Sequence, residues 1–82
     1  MSIEAIRAMT AEVRDQMVVA HQEVRIARER LADAVRTLTD LSRNHSESLV
    51  TPEHHRADEQ LDGCLEVLAG SLACVDRFIA GL

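Results

Sequence analysis

At 82 residues the chain has room for one domain, close to the size at which a single core supplies little net stability without oligomerisation or another staple. Its apolar fraction is 46%, yet Phe78 is the only aromatic residue, so the palette is Leu, Val, Ile, Ala and Met, which suits helix-on-helix packing and argues against a β-sandwich or barrel. The net charge is −5, every basic residue is an arginine, and basic patches and aromatic platforms for bases are both missing, which excludes a nucleic-acid-binding surface of the usual kind.

The opening MSIEAIRAMTAEVR carries acids and arginines where a signal peptide needs an apolar stretch, so no cleaved signal is expected and a cytoplasmic location is the simplest reading. Ser2 is placed to cap a helix starting at Ile3, and neither Gly nor Pro interrupts the chain until Pro52. Seven-residue spacing then runs through this first helix. With heptad letter a at Ile3, Thr10, Met17, Val24, Leu31 and Leu38, letter d falls on Ile6, Val13, Ala20, Ala27, Ala34 and Leu41. Large residues alternate with alanine, which predicts a seam where the second helix approaches closely at Ala20, Ala27 and Ala34. Ser, Asn and His after Leu41 compete for backbone hydrogen bonds, so the helix is expected over 3–44 and a turn over 45–51.

Thr51-Pro52-Glu53 is a restart signal, with an N-cap, a proline at the first helical position and an acid in the positive first turn. The second helix, 52–81, repeats the heptad with d at Leu61, Leu68, Val75 and Leu82 and a at Leu65, Leu72 and Ile79. So short a connection forces the helices antiparallel, giving one all-α hairpin domain over residues 1–82. The longer first helix is expected to leave Ile3, Ile6, Met9 and Val13 on an overhang.

The two flanks of that hairpin differ. In an antiparallel pair e faces e and g faces g. Arg7, Arg14, His21 and Arg28 at e meet His55, Asp62 and Asp76, which makes one side polar. Met9, Val19 and Ile26 of the first helix and Cys64, Val67, Cys74 and Phe78 of the second make the other side apolar and broad, interrupted by Glu12, Gln16, Glu23 and Arg30. The run Val67–Val75 holds no charge, but Glu66 and Asp76-Arg77 bound it far short of the ~20 residues that span a membrane, so burial by another protein chain is expected instead. Together with Ile3, Ile6 and Val13 these residues form the candidate interface of a homodimer that closes a four-helix bundle.

Chemistry is harder to find. His54 and His55 with Asp58 and Glu59 place metal-ligand types at helical spacing, but they match no established ligand pattern, and a solvated helix start is the simpler explanation. His21 is expected near Asp76. Cys64 and Cys74 cannot reach each other along one helix and are expected as small buried hydrophobes. No nucleophile–base arrangement and no phosphate loop is present, so neither an enzyme nor a cofactor is expected.

Two helices, this length and the absence of a signal peptide resemble the small helical-hairpin proteins of the WXG100 (ESAT-6-like) kind. That resemblance is architectural. The turn reads Asn44-His-Ser-Glu-Ser-Leu-Val-Thr51 where the family carries Trp-x-Gly, and the chain has no Tyr for a tyrosine-based export motif. The resemblance implies a dimeric helical assembly exported without a cleaved signal peptide. The residues themselves point to a non-enzymatic interaction or adaptor module, with a secreted hairpin and a metal-binding bundle as the alternatives.

Overall fold

The computed structural model describes all residues, Met1–Leu82, as two helices, α1 (Ile3–Ser42) and α2 (Pro52–Ala80), folded back antiparallel. Ser2, in extended backbone, caps α1 by accepting the Ala5 N–H at Oγ, 3.0 Å away. The far end of α1 is undone by its own hydroxyls. Thr37, Thr39 and Ser42 donate back to the carbonyls of Asp33, Val35 and Leu38, a habit that weakens a helix, and α1 stops at Ser42, two residues before the expected end. Ser42 has a second task, since its Oγ also accepts the Leu49 N–H at 2.8 Å and ties the returning loop to the helix end.

Thr51 and Pro52 start α2 as the sequence expects. The third helical residue, His54, completes the start by accepting the Thr51 N–H at Nδ1, 3.0 Å away, in the place where a capping box usually has Glu or Gln. Gly81 ends α2 with its N–H on the Arg77 and Phe78 carbonyls.

Ion pairs fix how the helices sit. Arg28 spans Asp58 and Asp62 with 2.8 Å hydrogen bonds to each, Arg14 meets Asp76 at 2.6 Å, and Arg7 reaches the Leu82 carbonyl at 2.9 Å. Residue i of α1 therefore lies level with about residue 90 − i of α2, as the pairs Arg28/Asp62 and Arg14/Asp76 set it. The expected overhang is correspondingly shorter. The chain end reaches Arg7, so Ile3 projects beyond it and Met9 comes level with Gly81, just past the end of α2, whereas Val13 lies level with α2 and is exposed because of the face it occupies.

The seam also differs from the alanine seam expected from the heptad. Most half-buried positions of α1 are at a, Thr10, Met17, Val24, Leu31 and Leu38, or at e, Arg14, His21, Arg28, Val35 and Ser42. Val13, Ala27, Ala34 and Leu41 at d are exposed, and only Ala20 of that column's central residues is half-buried. At 100° per residue, α1 is turned by about 50° from an a/d seam. The physical reason lies in what each column offers. Three alanines bury little area, while the e-column arginines lay their stems against α2 and deliver guanidinium groups to its aspartates. On α2 the expected a and d columns do face the partner helix: Leu61, Leu65, Leu68, Leu72, Val75 and Ile79 are all half-buried.

A hairpin of this kind has no interior. No residue is fully buried, and the molecule extends 65 × 15 × 14 Å with a radius of gyration of 19.0 Å, against about 12 Å for a compact chain of this length. Two substitutions check the assignment. Leu31→Ala removes a half-buried seam residue and is expected to cost about half of the ~2–5 kcal/mol typical of a buried leucine. Gly63→Ala places a methyl group in open space on the helix and is expected to stabilise it by about 0.5–1 kcal/mol. Urea unfolding followed by circular dichroism reads both, and a stabilising Leu31→Ala would mean that α1 is rotated differently.

Candidate interaction surface

The rotation of α1 divides the hairpin into two unlike sides. On the e side, arginines and aspartates face one another across the helices. The hydrogen bond from Arg28 holds the Asp58 carboxyl below its ordinary range, helped by the guanidinium charge, and the same bond raises the Arg28 pKa. Arg14 is raised likewise by its hydrogen bond to Asp76. Glu53, in the first turn of α2, is lowered by its own backbone N–H and then by the Thr51 hydroxyl. Asp76 is taken by Arg14, so the expected His21–Asp76 pair does not form. The two side chains instead share the walls of an open groove with Val18, Gln22, Arg25 and Leu72.

The metal candidates are separated by their other duties. His54 Nδ1 is occupied by the helix cap, and Asp58 is held by Arg28. His54, His55 and Asp58 line one shallow hollow beside Leu31, Val35 and Arg36, while Glu59 lies outside it. No three His, Cys, Asp or Glu side chains converge in a geometry that could hold a metal ion.

On the opposite side the d column of α1 and the g column of α2 carry no charge, while Glu23 and Arg30 stand on its α1 flank. Met9, Val13, Cys64, Val67, Cys74 and Phe78 are all exposed there, with Val67 at 69% and Phe78 at 54% of full exposure. Neither cysteine is buried, contrary to the sequence expectation, because both sit off the a/d seam of α2; Cys74 accepts a hydrogen bond from Arg77 at 3.0 Å. Ile6 is half-buried and Ile3 is exposed at the open end. Val19 and Ile26 are exposed too, but their c column stands about 180° from the α1 columns that touch α2, on the far face rather than the apolar side.

To this side the structure adds a column that heptad reasoning had assigned to the interior. Val13, Ala27, Ala34 and Leu41 point about 80° away from the seam midline, toward the same side as the g column of α2. The signal that could have revealed it was the alternation of arginine at e of α1 with aspartate on α2, which outweighs three alanines. No protein-family model matches the chain, and no curated protein or solved structure matches it. No helix is long and apolar enough to cross a membrane.

Two carboxylates of α2 give the hairpin a pH signature with a definite sign. Asp58 and Glu53 have folded-state pKa values below the ordinary carboxylate value, so their stabilising contribution is present above about pH 4 and is lost as pH falls through the lowered values. The melting temperature is therefore expected to drop on acidification below that point. Asp58→Asn is expected to make the drop shallower, and an unchanged acid profile in that variant would show that the Arg28 bridge carries no linkage.

Proposed function

We propose that the chain is a non-enzymatic protein–protein interaction module that works as a helical homodimer, closed through its uncharged side into a four-helix bundle. The observation that carries this reading is exposure. The hairpin presents 6163 Å² of accessible surface, whereas a compact folded chain of 9.1 kDa presents about 4,900 Å². The excess of roughly 1,300 Å² is more than the ~800 Å² that each partner commits to a standard interface, and it suits an obligate pairing.

Nothing in the arrangement of side chains supports a reaction. The arginines and aspartates of the polar side satisfy one another, and the cysteines have no His or Asp beside them to act as a base. What the molecule offers is an elongated rod with a zipped polar side and an uncovered apolar one, a form that suits a scaffold or adaptor.

The test is mass together with helicity. Light scattering at micromolar concentration is expected to give twice 9.1 kDa, and dilution is expected to lower the melting temperature because folding and association are coupled. A species of single-chain mass that keeps its full helical signal would overturn the homodimer.

A further inference from the structure

The homodimer reading leaves open which helix meets which. We infer that the two-fold axis runs parallel to the helices, so that the d column of α1 packs against the g column of α2 in the second copy, twice over. This inference rests on the homodimer proposal and deepens it.

The argument is one of matching heights. The part of the α1 d column that lies level with α2 is Val13, Ala20, Ala27 and Ala34, with Ile6 and Leu41 beyond its two ends, and the g column of α2 is Phe78, Ser71, Cys64 and Ala57. In the register set by Arg28/Asp62 and Arg14/Asp76, each member of one column lies within a residue of level with a member of the other. Val13 is level with Phe78, Ala20 with Ser71, Ala27 with Cys64 and Ala34 with Ala57. A two-fold along the bundle leaves every height unchanged and exchanges the copies. Each column thus meets its level mate on the neighbouring chain without any sliding.

Directions agree as well as heights. The d column stands about 80° round α1 from its contact with α2, and the g column about 90° round α2 from its contact with α1, both toward the same side. Those are the angles of a square four-helix bundle in which each helix touches two neighbours. The layers are also matched in size, large against large at the open end and small against small elsewhere, which lets the helices approach to about 8 Å. No charge occupies either column. On the flank, Glu23 comes level with Val67 and Arg30 with Gln60, so like charges are not brought together.

A two-fold across the helices does less. It would set the d columns of two α1 helices together, but it inverts heights, so Phe78 would leave the level of Val13 and come level with the first turn of α2 in the second copy, away from any large partner in the d column.

Thiol cross-linking tests the arrangement in the intact chain. In a Cys74→Ser background, Cys64 is the one native thiol. Ala27→Cys is expected to convert most of the protein to a covalent dimer under mild oxidation, because level residues on touching helices bring their Cβ atoms to disulfide distance. Ala32→Cys, on the other side of α1, is expected to give none. Two results would overturn the inference while leaving the homodimer intact: no covalent dimer from Ala27→Cys although light scattering still finds two chains, or a covalent dimer that persists when Cys64→Ser is added, since the introduced thiols would then be meeting each other. A single-chain mass by light scattering would overturn the homodimer itself.

Discussion

The bridge from Arg28 to Asp58 and Asp62 is the contact on which the rest of the molecule depends. One guanidinium spanning two carboxylates a helical turn apart fixes rotation and height together, which point-like contacts between leucines do not. Arg14 on Asp76 repeats the constraint about four helical turns further on, so α1 cannot rotate at one end alone. These pairs are partly exposed, and their value is positional more than energetic. They decide which residues of α1 face α2 and so which are left for anything else.

What the sequence made legible follows from the same distinction. Helix existence, the Ser2 cap, the Thr51-Pro52 restart and the antiparallel return were all readable, because each depends on local backbone chemistry or on loop length. The a and d columns of α2 were readable as well, since leucines occupy them without a rival. On α1 two columns competed for one seam. Periodicity favours the uncharged d column, but three alanines offer too little area to hold the rotation against two arginines with aspartates across from them. A reading of apolar spacing alone gives the right helix and the wrong face. His54 was hidden for a related reason: as a helix-cap acceptor it works in place of Glu or Gln, and its residue type points first to metals.

The missing interior bears on stability as well as on assembly. With no residue fully buried, the usual apolar contribution is roughly that of a half-covered seam, and the interior glycines Gly63 and Gly70 weaken α2 further. Neither glycine meets a neighbour within the hairpin. Both stand at f, nearly opposite the contact with α1, and a bundle closed through the g column leaves them in solvent too. Close helix approach therefore does not explain them, and the structure offers no other reason for their presence.

Having only one apolar side also decides how far assembly can go. A helix pair with uncovered apolar columns on both sides would stack without end, since each added copy presents the surface that recruited it. Here the e side is occupied by its own ion pairs, and a two-fold along the bundle uses the d column of α1 and the g column of α2 once each in every copy. In the proposed dimer only the short c-column pair Val19 and Ile26 would remain exposed on the far face of α1, too little to recruit a third chain. The excess acid, carried by the second half of the sequence, would place like charge on both copies of the proposed dimer and disfavour further association. In the proposed dimer, the arginine–aspartate pairing that turns the alanine column outward would thus also be what closes the assembly at two.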